Sequence, residues 1–341
     1  MCETNSPIIL RHARLSDRQA IMRYIDVEWK TGHILATDEA FFCFEYTFGE
    51  ALNFILAVDL QENIVGMLGY IRSSGAADCD VWTTMWKVSK NSSNPVLGIE
   101  LLQFLRGRGH RSVMSLGINA KTIGIYKYLG FNTGCMSQFY MPNPRLQNFK
   151  IAVINATELG SCTSPIFHEN YSLREIDSAE LANNIDFELQ TNHIPKKDAA
   201  YFLKRYYQHP IYSYEIYGVF QGSTLVTVLV MREVAAQGAS ALRIVDIVGD
   251  EQQLQFIGGE LQALLVKRDL EYVDLVCHGV SEKAIKAAGF SMLDLNNNDT
   301  IIPNYFGPFV QKNVKINFFS DSADVDRFRF FKADGDQDRP N

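Results

Sequence analysis

The stretch Trp86-Lys87-Val88, SKNSSNP (Ser89–Pro95), VLGIELLQFLRGRGH (Val96–His110), RSVMSLGIN (Arg111–Asn119) and AKTIGIYKYLGF (Ala120–Phe131) decides the fold. It spells strand end, polar loop, helix, strand, helix. Ser93-Asn94-Pro95 offers an N-cap followed by a first-turn proline, where a missing N–H costs nothing. Val96, Ile99, Leu102 and Leu105 recur at helical spacing and predict a buried stripe. Gly107 and Gly109 stop the helix, and Arg106, Arg108 and His110 suit the negative end of its dipole. Ser112–Ile118 alternates as a strand does. A strand–loop–helix unit leaves backbone N–H groups unpaired at the helix start, a site for phosphate oxygens.

Outward from this segment, Ile8–Arg14 is extended, and Leu15-Ser16-Asp17 caps a helix carrying Ala20, Ile21, Tyr24 and Ile25. Phe54–Val58 and Ile64–Ile71 are expected strands around the turn Asp59–Asn63. Val81–Val88 follows, and Cys135–Met141 is expected as the last strand of this half. Pro142 to about Ser164 reads as a connection. The order of elements then restarts: a strand at Tyr171–Ile176, helices after Asp177-Ser178 and over Lys197–Tyr207, and strands at Tyr212–Phe220, Thr224–Val234 and Leu242–Val248. A helix over Gln252–Arg268, a strand Tyr272–Cys277 and a helix Ser281–Ala288 complete it. Gly289-Phe290 ends this series as Gly130-Phe131 ends the first, which marks an internal repeat.

Asn119 at a strand end, Tyr126 seven residues on, and Tyr128-Leu129-Gly130-Phe131 closing the helix together resemble the core of the GNAT superfamily of N-acetyltransferases. The resemblance implies an α/β fold with mixed sheets, two GNAT-like domains in tandem and a C-terminal tail. The expected divisions are residues 1–145 for an acyl-CoA-binding domain and 146–165 for a linker. Residues 166–312 would form a degenerate second domain that contributes to the acceptor site, and 313–341 a tail packed on the body. The family's loop pattern Q/R-x-x-G-x-G/A falls on Ser93, Val96 and Gly98, and only the last keeps the pattern. By resemblance, Trp86, Lys87, Val88, Asn94, Val96, Leu97, Gly98 and Asn119 hold acetyl-CoA, and Tyr126 protonates the leaving thiolate. In the second copy, Asp250-Glu251 stand at the helix start, where they suit the dipole but repel a pyrophosphate. No Asn–Tyr pair precedes Gly289. Acetyl-CoA is therefore expected in the first half only.

Amide formation from a thioester needs a neutral amine, donors for the oxyanion, and a satisfied thiolate. A backbone N–H in Trp86–Val88, splayed by a bulge, is expected to meet the carbonyl oxygen. His33, in Trp29-Lys30-Thr31-Gly32-His33-Ile34-Leu35, is the candidate base, with Glu45 and Asp80 as alternatives expected at the surface or a strand end. An amine of ordinary basicity needs little help, which leaves open that no dedicated base exists. Tyr126 and Trp82 also have plain packing readings, and Trp82 and Trp86, four apart on a strand, are expected on one face. Cys277 and His278 point to opposite faces of a strand, so they make no nucleophile pair.

The 341 residues are ample for two domains, and 47% hydrophobic content supports full cores. A net charge of −7 argues against a nucleic-acid polymer as partner. No apolar run of about 18 residues predicts membrane insertion, and no secretion signal opens the chain, so a cytoplasmic setting is expected. Cys2, Cys43, Cys79, Cys135, Cys162 and Cys277 lack metal spacing and read as free thiols, with no metal expected. The W-K-x-G-H-I-L segment, the tandem domains and the D-x-D-R-P-N ending resemble bacterial enzymes that acetylate amino sugars on nucleotide carriers. Such enzymes serve surface-polysaccharide (O-antigen, lipopolysaccharide) synthesis. The implied partner is a UDP- or dTDP-linked amino sugar, its diphosphate or base held by Arg or Lys of the second domain and tail. Two other classes are an aminoacyl or other acyl transferase of cell-wall synthesis, which calls for a basic face, and a non-catalytic binder of CoA or nucleotide sugar.

Overall fold

The computed structural model describes residues 7–155, 159, 165–187 and 192–340. Cys2, Cys162, part of the expected connection and the end of the helix expected through Leu189 lie outside them. Cys43, Cys79, Cys135 and Cys277 are free thiols.

Two eight-stranded mixed sheets carry the fold among the described residues. In the first, Ile9–Arg14, Ala51–Val58, Ile64–Arg72 and Val81–Val88 run antiparallel in sequence, and Thr47–Phe48 adds to Ala51–Val58 at one edge. Val81–Val88 then pairs parallel with Val113–Leu116 across the Leu97–Arg106 helix. In the second sheet, Tyr171–Glu175, Glu215–Gln221, Thr224–Ala236 and Ala239–Gly249 repeat the antiparallel series. Ala239–Gly249 pairs parallel with Tyr272–His278 across the Gly258–Arg268 helix. The internal repeat is thus a repeat of topology.

The two sheets trade their next strands. Ser137–Pro142, expected to close the first half, instead pairs antiparallel with Tyr272–His278 and with Ser291–Met292 in the second sheet. Its equivalent from the tail, Asn317–Ser320, enters the first sheet between Val113–Leu116 and Asn132–Cys135. Each half therefore completes its sheet with a strand from the other. One apolar core, including Phe42, Trp82, Met114, Phe202, Val228, Val245, Phe318 and Phe330, runs between the sheets. Separate clusters lie under the helices Leu97–Arg106 and Gly258–Arg268.

The helix after the polar loop buries Leu97, Leu101, Leu102 and Leu105. Val96, expected in that stripe, is its N-cap and is exposed, because the helix begins two residues later than the proline suggests. The stretch after Pro142 is no free linker: Glu271 accepts hydrogen bonds from the N–H groups of Lys150, Ile151 and Ala152, and Ile151 is fully buried against the second half. The second half and the tail also meet at Lys197, whose ammonium lies 2.7 Å from Asp246 and 2.6 Å from Asp334, all three buried. Tyr206 donates to the same Asp246 carboxylate.

Candidate active site

The parallel pair in the first sheet touches only at Val81↔Val113 and Trp82↔Met114; beyond Trp82 the strands separate. A bulge opens them further. Gly69 faces Thr84 and Met67 faces Lys87, so Leu68 opposes both Met85 and Trp86, and Met85 adopts φ 40°. One extra residue reverses every side chain after it. Trp82 and Met85 consequently face the shared core while Trp86 packs toward the helix side. The expectation that Trp82 and Trp86 share a face fails for this reason.

The gap is a cleft of about 620 Å³, lined along one wall by Thr83–Trp86 and Val88 and along the other by Ser115–Asn119. Pro95, Gly98 and Ile99 at the helix start close one end. Tyr126 closes another part, and Asp336 and Gln337 arrive from the tail. Of the residues expected to hold acetyl-CoA, Trp86, Val88, Gly98 and Asn119 line this cleft, while Lys87, Asn94, Val96 and Leu97 do not. Leu97 is core, and Lys87 sits on the strand between two lining residues. Asn94 acts indirectly: its Oδ1 accepts from the Val96 N–H at 3.0 Å and its Nδ2 donates to Glu100 at 2.9 Å. An acidic residue thus stands in this first turn too, as Glu260 does in the second half. Absence of acid at the helix start does not distinguish the halves.

What distinguishes them is the tail. In the second sheet Phe330–Phe331 pairs with Cys277 and His278, and the Ala333 N–H donates to Val245 at 2.9 Å. The parting of the second parallel pair is filled by this strand. The first parting stays open.

Asn119 lines the cleft and uses its Oδ1 to accept from the Lys121 N–H at 3.0 Å, a bond that does not engage its amide NH₂. Tyr126 is buried against Phe319 of the tail strand, with ring centroids 4.3 Å apart, and faces Trp86 at 6.2 Å. Burial pushes its phenol pKa up, which keeps the hydroxyl protonated; Thr122 beside it acts in the opposite sense.

His33 is 2% exposed and caps the Ile34–Thr37 helix, its Nδ1 accepting from the Leu35 N–H at 3.1 Å. The neutral ring then carries its proton on Nε2. Burial, with the Arg339 and Lys30 charges, lowers its pKa to about 4 against the opposing pull of Asp336. Neither Glu45 nor Asp80 is at the surface, though Asp80 does stand at a strand end, directly before Val81–Val88. Glu45 pairs with Arg205 at 3.0 Å, and Asp80 pairs with Arg111 and accepts from Ser112 at 2.8 Å. Their acidic letters lacked any local signal of partners that lie far along the chain. Cys277 and His278 diverge as expected: the thiol faces the second core, and the imidazole lies against Phe318.

Sequence reasoning missed Asp336 and Gln337. The tail crosses the bulged strand beside the parting point. A Cβ on Gly335 would lie 3.3 Å from that of Trp82, Gln337 donates to Leu116 O at 3.2 Å, and Arg339 reaches the Met85 sulfur at 3.6 Å. The Asp-Gly-Asp-Gln-Asp run carried a turn signal and no hint of its destination. Each tail cation has a partner: Lys315 with Asn296 Oδ1, Arg327 with Asp324, Arg329 with Glu251, Lys332 with the Gln337 carbonyl, and Arg339 with Asp336 at 3.4 Å. Among the described residues no cluster of metal-ligand type occurs, and no helix is long and apolar enough to cross a membrane.

No family model matches the sequence, and the curated proteins give no significant match. Solved structures do match. A GCN5-related N-acetyltransferase from Anabaena variabilis superposes with a TM-score of 0.59 at 11% identity, covering 92% of this chain and 72% of that one. A conserved Enterococcus faecalis protein described as a probable N-acyltransferase gives 0.56 at 7% identity, over 84% and 70%. A GCN5-related N-acetyltransferase from Kribbella flavida gives 0.51 at 10%, over 93% and 71%. At such identities the likeness is one of fold. The chain has the fold of two GCN5-related N-acetyltransferase (GNAT-like) units in tandem.

Proposed function

We propose that the protein is an acyl-CoA-dependent N-acyltransferase, with acetyl-CoA as donor in the first half. The observation that carries this reading is the open parting of the first parallel pair, bulged at Met85 and ending at a helix start and at Tyr126. An extended amide-bearing arm entering between two separated strands meets unpaired backbone groups, as an added strand would. Asn119 donates to that arm, and the N–H groups beside Gly98 and Ile99 face its phosphates. Backbone N–H groups at the bulge meet the developing oxyanion. Tyr126 passes its phenolic proton to the departing thiolate, an effect worth roughly 10²–10⁴-fold for a placed general acid.

The acceptor class to test first is a UDP- or dTDP-linked amino sugar, supported by the sequence resemblance of the His33 segment and the chain's ending. A diphosphate bound by tail cations has to compete with the carboxylates and carbonyl they already hold. This reading does not assign the base to His33: its proton rests on Nε2 and its pKa is far below that of an amine.

Isothermal titration with acetyl-CoA should give one site per chain, and a panel of UDP- and dTDP-linked amino sugars should release CoA. Tyr126→Phe should lower kcat at least tenfold with acetyl-CoA affinity held. No affinity for acetyl-CoA would end the proposal. Binding with no release by any amine would point to a binder.

A further inference from the structure

We infer that Asp336, delivered by the C-terminal tail, is the group that receives the acceptor's amine and takes its proton. This rests on the acyltransferase reading. Among the residues lining the open cleft only Tyr126 and Asp336 carry a side chain that titrates as an acid or base. Tyr126 is enclosed by Phe131, Phe319 and Trp86, and the acyltransferase reading already gives it the thiolate. Asp336 stands between Gly335, which lies over Trp82, and Arg339, which touches Met85. It is therefore beside the bulge where the acyl carbonyl would meet its donors, on a tail segment that crosses the core-facing Trp82 and Met85.

The side chain is held and still reachable. Its Oδ2 lies 3.4 Å from the Arg339 guanidinium, its Oδ1 accepts from Gln337 Nε2 at 3.4 Å, and it is 20% exposed. Gln337 is fixed in turn by the Leu116 carbonyl and by Tyr305, whose hydroxyl donates to it at 3.3 Å. The groups that feel the Asp336 charge are Arg339 on its own segment, His33 from the turn before Ile34–Thr37, Tyr46 at the end of Glu39–Tyr46, and Tyr305. Of these only Arg339 carries a full positive charge, so a second cation in the cleft finds a carboxylate with one charged partner, at a long 3.4 Å.

The step balances as follows. The acceptor ammonium is attracted to Asp336 and loses one proton to solvent. The freed nitrogen pair attacks the thioester carbon, forming C–N and placing charge on oxygen. Bonding to carbon makes the nitrogen far more acidic, so its second proton passes to Asp336 Oδ. Collapse breaks C–S, the thiolate takes the Tyr126 proton, and both residues re-equilibrate with water. The net products are amide, CoA thiol and one released proton.

The test uses full-length protein, acetyl-CoA, and glucosamine with UDP- and dTDP-linked amino sugars as acceptors. Asp336→Asn should leave acetyl-CoA affinity within about twofold of wild type. It should lower kcat/KM for the amine by about 10²-fold below the amine's own pKa. Above that pKa the acceptor arrives uncharged, and the rise in KM should shrink. Asp336→Glu should recover part of the loss. A merely structural role through Arg339 would lower melting temperature and acetyl-CoA affinity with no dependence on the amine's charge, and would overturn the assignment. Equal kcat/KM in Asp336→Asn and wild type would also overturn it, with the acyltransferase reading intact. If wild type binds no acetyl-CoA, or binds it and turns over no amine, the acyltransferase reading falls first and this one with it.

Discussion

A buried imidazole whose Nδ1 already accepts a backbone N–H has little to gain from a second proton. His33 is in that state, and its pKa of about 4 makes it a source of acid sensitivity. The folded value lies below the ordinary histidine value of about 6.5, so between the two the unfolded chain binds more protons than the native one. Stability is full above pH 6.5 and is lost as pH falls toward 4. His209, buried and lowered to about 3, adds in the same direction. The melting temperature should therefore fall across this window, and His33→Asn, which preserves an N-cap, should flatten part of the fall. An unchanged pH slope in that variant would remove His33 from the account. At this scale the sequence disclosed residue types and some caps: Asp17 and Asp177 serve at helix starts as expected, while Asn119, expected only at a strand end, also caps the turn that follows it. It did not disclose which polar groups are spent on partners, because Glu45 and Asp80 meet theirs from distant segments, nor that folding carries Asp336 to the cleft.

Strands and helices were legible wherever a hydrophobic period ran unbroken, as in Leu97–Arg106 and Ile64–Arg72. The period failed at Met85, since a bulge inserts one residue without changing the apolar character of the strand. Register across the traded strands was equally hidden. Gly134 faces Phe318, and a Cβ there would lie 2.4 Å from the ring. That ring is hemmed by His278 at 4.6 Å and Phe330 at 4.9 Å, which bars it from swinging aside. Gly134→Ala should destabilise the protein by about 1–3 kcal/mol as an overpacking change. A denaturant midpoint equal to wild type would show that the tail strand does not sit over Gly134.

The reciprocal strand exchange makes the two halves one folding problem. A chain ended after Lys312 loses Asn317–Ser320 from the interior of the first sheet and Asp334 from beside Lys197. Exposed ladders between Val113–Leu116 and Asn132–Cys135 and an unfilled second parting would follow. The truncated chain should therefore lose cooperative melting and acetyl-CoA binding together. A truncated protein that melts cooperatively and binds acetyl-CoA as the full chain does would contradict the exchange. For the same reason, removing the tail is no clean test of nucleotide binding.

By itself the sequence determined the repeated order of elements, the caps at Asp17 and Asp177, and the Asn119–Tyr126–Gly130-Phe131 frame, because these depend on neighbours within a few residues. Only the tertiary structure decided which parting stays open, which acid lines it, and where each half finds its last strand. Those outcomes depend on tail strands whose partners lie far along the chain, Leu116 for Phe318 and Cys277 for Phe331, and no local period records that choice.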